Sequence, residues 1–85
     1  MDIKIIGRRI RVRRETLKLT QLELSLKMNR VNNSAYISEI EHGKRDLGVS
    51  MLYEFAKALD CDVSAFLTPE LVIYDKSQIS QEANV

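Results

Sequence analysis

The stretch SAYISEIEHGKR, Ser34 to Arg45, is where this chain concentrates residues suited to non-covalent chemistry. It begins with small polar residues and carries Tyr36, Ile37 and Ile40 at helical spacing. It then stops at Gly43 followed by two cations. Such a segment is either one more amphipathic helix of a small bundle or a helix whose polar side enters something charged. Lys44 and Arg45 suit phosphate binding, and equally suit the negative end of the helix they follow. Covalent chemistry has no comparable candidate. No paired carboxylates or nucleophile constellation stands out, so the catalytic set is empty and an enzyme is not expected. One histidine and one cysteine are too few for a zinc site within one chain, and no cofactor or small-molecule ligand is expected.

Charge points the same way. Residues 1–45 carry eleven cations against five anions, whereas residues 46–85 carry two against seven. A basic first half suggests a polyanionic partner, and an acidic remainder suggests an end that faces away from it. At 85 residues, 45% hydrophobic and 29% charged, the chain makes one small domain with a modest core. It has no long apolar run and no leader-like start, and Cys61 has no partner for an internal disulfide. A cytoplasmic protein is the expectation, with no membrane involvement.

The elements that must position these residues are helices. Ile6, Ile10 and Leu17 form one stripe of a first helix over about 4–18, bordered by Arg13 and Arg14. Thr20-Gln21-Leu22-Glu23 is a capping box that opens a second helix, with Leu24 and Met28 inward and Asn29 as a left-handed stop. Asn32, Asn33 and Ser34 offer caps for a third helix over about 33–41, ended by Gly43. A fourth spans about 49–59 with Leu52, Phe55, Ala56 and Leu59 inward. Asp62 caps a short fifth, Val63 to about Leu67. Met28 and Met51 read as gap-fillers, His42 as surface and Cys61 as a packing residue. After Pro69 comes the β-prone run Leu71-Val72-Ile73-Tyr74 and then a polar end. The domain reading is therefore 1–69, with 70–85 a C-terminal extension that is either a dimer arm or a loose tail.

The order of these pieces is specific. TQLELSLKM (20–28), SAYISEIEHGKR (34–45), LYEFAKAL (52–59) and DVSAFL (62–67) together resemble the phage-repressor and Cro family, the Xre-type helix-turn-helix regulators. The likeness covers roughly residues 5–67. It departs in the turn, where Asn29 stands in place of the family's glycine and the segment up to Tyr36 is longer. The resemblance implies an all-α fold: a compact five-helix lambda-repressor-like helix-turn-helix domain with a short C-terminal extension. It implies double-stranded operator DNA as partner, read as a homodimer through a palindromic site, with the third helix in the major groove.

Residue roles follow by the same resemblance. Ser34, Ala35 and Glu39 take the outward, base-reading positions. Serine donates or accepts, alanine touches a thymine methyl and glutamate accepts from cytosine N4. Asn33, like Asn32, either pairs with adenine or caps the helix. Gln21, Ser38, Lys44 and Arg45 take phosphate-contacting positions. Arg14, seven residues before Gln21, takes the place of an arginine that pairs inside the domain with the glutamate ending the third helix, here Glu41. Arg8, Arg9, Arg11 and Arg13 either reach flanking phosphates or form a solubilising face. The implied function is a transcriptional repressor or autoregulator, of which a restriction–modification controller is one kind. The alternative is an antitoxin or protein-binding adaptor built on the same fold.

Overall fold

A computed structural model describes residues 2–29 and 33–67. Its elements are α1 (Ile3–Thr16), α2 (Gln21–Lys27), α3 (Ser34–Glu41), α4 (Val49–Ala58) and α5 (Ser64–Leu67). No strand occurs among the described residues, and the protein is an all-α, five-helix helix-turn-helix domain. Asn32 and the run Leu71–Tyr74 lie outside the described residues.

Local signals account for most of the boundaries. The Asp2 carboxylate accepts from the Lys4 N–H at 2.9 Å and opens α1. The capping box of α2 is complete. The Glu23 N–H donates to Thr20 Oγ1 at 3.0 Å, and the Thr20 N–H donates to Glu23 Oε1 at 2.8 Å. Two orphan donors at the start of that helix are thereby satisfied. Asn29, with φ of 59°, ends α2 in the left-handed region. The Asp62 carboxylate accepts from the Ser64 N–H at 2.9 Å, which holds its pKa below the ordinary value and opens α5.

Helix α1 ends earlier than its apolar stripe predicts. The chain turns at Lys18, whose φ is 60°. The Lys18 N–H then donates to the Glu15 carbonyl and the Leu19 N–H to the Arg14 carbonyl. This is a Schellman stop made without glycine or asparagine. Leu17 consequently turns outward, 37% exposed, and Leu19 packs on the core in its place. Helix α4 ends in the same manner through Asp60, φ 54°.

The core gathers Ile6 and Ile10 from α1, Leu24 from α2 with its C-cap Met28, Ile37 and Ile40 from α3, Leu52, Phe55 and Ala56 from α4 with its C-cap Leu59, and Phe66 from α5. Leu47, in the loop before α4, joins them. Each large aliphatic or aromatic side chain among them contributes about 1.5–3 kcal/mol of burial. Helix α3 packs against both α1 and α2, and α1 also packs against α5.

Two features set how closely α3 is held. A β-carbon on Gly7 would lie 2.2 Å from the Ile40 carbonyl oxygen and 2.8 Å from that of Glu41. Glycine in the middle of α1 is what lets the last turn of α3 approach the helix backbone. Ser25, fully buried in α2, accepts from the Asn33 N–H at 3.1 Å and ties α2 to the start of α3.

Gly7→Ala gains helix propensity worth about 1 kcal/mol. The forced separation of α1 and α3 is the larger effect, so a net loss of roughly 1–3 kcal/mol is expected in urea unfolding. Ser25→Ala strands the Asn33 N–H and is expected to lower the same midpoint, by about 1–3 kcal/mol in stability.

Candidate nucleic-acid interface

The outward end of α3 is built by its caps. The Asn33 side-chain oxygen accepts from the Tyr36 N–H at 3.3 Å, while the Asn33 N–H is held by Ser25. Asn33 therefore acts as the helix cap with its side-chain oxygen. Just beyond it Ser34 is half-buried and Ala35 is exposed, whereas Tyr36 is half-buried and Ile37 turns completely into the interior. At the other end the Gly43 N–H donates to the Ile40 carbonyl and the Lys44 N–H to the Glu39 carbonyl. This Schellman motif needs the φ of +69° that Gly43 adopts. It also reverses the chain so that Lys44 and Arg45 return toward the helix they follow, and Arg45 reaches Glu39.

Arg45 is held at two points. Its Nε donates to Glu39 Oε1 at 2.8 Å, and its guanidinium carbon lies 5.2 Å from the centre of the Tyr36 ring. Tyr36 in turn stacks on the fully buried Phe55, ring centres 6.5 Å apart and planes 15° apart. The basic loop is thus tied to the core through an aromatic pair. Ser38 faces His42 one turn on. His42 Nδ1 lies 2.7 Å from the Ser38 carbonyl oxygen and 3.4 Å from its Oγ.

Behind this surface sits a buried charge cluster. Glu41, its side chain 1% exposed, receives Arg14 Nε on Oε2 at 2.6 Å and Arg14 Nη2 on Oε1 at 3.1 Å. Gln21 Nε2 donates to the same Oε1 at 3.1 Å, and Arg14 Nη1 donates to the Leu19 carbonyl at 2.7 Å. One carboxylate therefore joins α1, the turn before α2, the first residue of α2 and the last of α3. Hydrogen bonding to Glu41 outweighs the opposing cost of burial and raises the Arg14 pKa above its ordinary value, so this cation never titrates in the working range.

Three further arginines of α1 divide between two tasks. Arg13 Nε and Nη2 donate to the carbonyls of Leu59 and Asp60 at 3.0 and 2.9 Å, capping α4. Arg9 Nη1 donates to the Phe66 carbonyl at 3.3 Å. Arg11 pairs with Glu15 at 3.2 Å, both half exposed, as an i,i+4 surface pair. Sequence charge therefore overstates what the basic half offers a partner, since several of its cations serve the domain itself. Cys61 is half-buried, and burial pushes its thiol above the ordinary pKa.

Three contributors escaped the sequence reading. Gly7 carried a signal, an isolated glycine inside a helical pattern. Ser25 and the Tyr36 platform carried none, because each matters only through a partner brought from elsewhere in the chain. Among the described residues no cluster of metal ligands occurs, and no helix is long and apolar enough to cross a membrane.

The helix-turn-helix family profile matches residues 10–66. The chain belongs to the helix-turn-helix family. The crystal structure of the restriction-modification controller protein C.AhdI from Aeromonas hydrophila is similar to it, with a TM-score of 0.70 and 25% sequence identity. That likeness covers 76% of this chain and 91% of the other. No curated protein matches the chain. Family membership makes this helix-turn-helix protein a DNA-binding regulator.

Removing either side of the Arg14–Glu41 pair leaves a buried charge without its counter-ion. Arg14→Met is expected to cost roughly 3–5 kcal/mol in urea unfolding, and the double variant Arg14→Met, Glu41→Leu considerably less. A double variant no more stable than the single would show that the hydrogen bonds, rather than the stranded charge, set the loss.

Proposed function

We propose that this protein is a sequence-specific transcriptional repressor or autoregulator of the restriction–modification controller kind, acting in the cytoplasm on a palindromic operator as a homodimer. The observation that carries the reading is the capped start of α3 on the same helix as the Gly43 reversal into the doubly cationic loop 44–45, within a fold of the helix-turn-helix family. The likeness to a restriction–modification controller supports the narrower class.

In this reading α3 enters the major groove. Asn33, Ser34, Ala35 and Glu39 read base edges, Asn33 through its side-chain amide while its oxygen caps the helix. Gln21, Ser38, Lys44 and Arg45 meet phosphates on either side of the groove. Gln21 does so from a side chain already steadied by Glu41, so its role joins positioning to contact. Arg45 approaches the backbone with the Nη end of its guanidinium, since Nε is engaged by Glu39.

The homodimer is supported by the outer face of α4, where Val49 and Tyr53 are 67% and 61% exposed, and by Leu67 in α5. Large apolar side chains in such positions suit a partner surface. The domain ends at residue 69, and the extension 70–85 contributes Leu71–Tyr74 as an apolar arm to the same contact. A chain stopped after Pro69 is expected to sediment as monomer at concentrations where the full chain is dimeric, and an unchanged dimer refutes the arm.

Selection of bound duplexes from a random pool at stated salt tests the central reading, and a palindromic consensus is the expected result. Lys44→Ala is expected to weaken binding to all sequences alike. It should also lower the slope of log affinity against log salt by about 0.9 for each phosphate that is no longer neutralised. Ser34→Ala and Asn33→Asp are expected to change preference among sequences instead. Uniform weakening by both would mean that these residues serve the helix end alone.

A further inference from the structure

We propose that Arg45 is a specificity residue that acts through Glu39. Its Nε holds the Glu39 carboxylate while its Nη end takes a DNA phosphate, so that one guanidinium couples a base-reading group to the backbone. The proposal rests on the groove-reading role of α3 described above and adds a positioning role that family membership does not assign.

A lone glutamate on a helix approaching DNA meets a row of negative phosphates, and repulsion grows as water leaves the interface. Glu39 does not stand alone. Its Oε1 accepts from Arg45 Nε at 2.8 Å, and the two side chains are 45% and 53% exposed. In water so open a pair contributes little to stability and is held loosely by charge alone. Here a second contact restricts the arginine. The guanidinium lies over Tyr36 at 5.2 Å, and Tyr36 is stacked on buried Phe55. Tyr36 and Glu39 are three apart on α3, so both grips come from the same face of one helix.

The shape of the guanidinium supplies the coupling. It offers five N–H donors in a rigid plane, and the Nε–H spent on Glu39 leaves those of the two Nη atoms. A phosphate meeting those donors fixes the plane, and the plane fixes the carboxylate. Glu39 retains acceptor capacity on Oε2 for a cytosine amino group. The neutralised pair enters the groove without a net negative charge, which removes the repulsion that a solitary glutamate meets. Lysine cannot replace arginine in this role, because a point charge on a flexible stem has no plane to transmit.

The test uses the full chain and duplexes selected by the wild type, with affinities measured for operators varied one position at a time. Glu39→Gln and Arg45→Ala are expected to lose preference at the same operator position, where the wild type discriminates about tenfold. The double variant should lose no more preference than either single variant. Arg45→Lys should keep most of the general affinity and still lose the preference. Tyr36→Leu should weaken the preference in part, with folding checked by circular dichroism. The proposal is overturned if Arg45→Ala weakens every duplex by one factor with preference intact. It is equally overturned if Arg45→Lys restores the preference, or if the effects of the two single substitutions multiply. A wild type that selects no duplex overturns the groove reading itself and this proposal with it, a result separate from an intact preference that ignores Arg45.

Discussion

The domain depends on one buried carboxylate. Glu41 lies at the end of α3 and accepts from Arg14 on α1 and from Gln21 at the start of α2. An isolated charge in that position would be prohibitive, and the arrangement is sustained because both of its oxygens have donors and the arginine spends a further N–H on the Leu19 carbonyl. Three helices and a turn are thereby fixed to one another through directional bonds. Apolar packing alone would tolerate a helix rotated or slid by part of a turn, and a helix that must present particular side chains to a groove cannot tolerate it.

Around that cluster the two ends of α3 are held by different means. Ser25 and Asn33 tie its start to α2, and the start is where a reading surface must be placed most closely. Gly7 brings its final turn against the backbone of α1, and the left-handed Gly43 sends the chain back along the helix. The loop that follows is anchored in its turn by Arg45 against Tyr36 and Glu39. A cationic segment that is positioned in the free protein loses less conformational freedom on meeting its partner than a loose one.

Much of this was legible in the residues. The capping box at Thr20–Glu23, the stop at Asn29, the glycine at 43 and the cap at Asp62 are local devices. Their physics involves only a few neighbouring residues, so the sequence displays them directly. The end of α1 was not legible, because Lys18 adopts a left-handed backbone that neither its type nor its neighbours announce. Leu17 therefore read as core and is not, and Leu19 took the place. Arg8, Arg9, Arg11 and Arg13 had two open readings each. Arg13 was resolved only by the carbonyls of Leu59 and Asp60, which lie 46 and 47 residues away along the chain.

What the sequence determined by itself is the succession of helices, their caps and the apolar faces that form the core. Those features arise from periodicity and from hydrogen bonds that close within a turn or two. The tertiary structure alone decided that Arg9 and Arg13 are spent on backbone carbonyls of the domain itself. It also decided that Gly7 is a point of helix contact, and that Glu39 and Arg45 form one unit. Each of these depends on groups brought together from separate segments, or on a backbone reversal that sets side chains six residues apart within bonding distance. No local pattern encodes such a distance, because it is set by the packing of the whole chain.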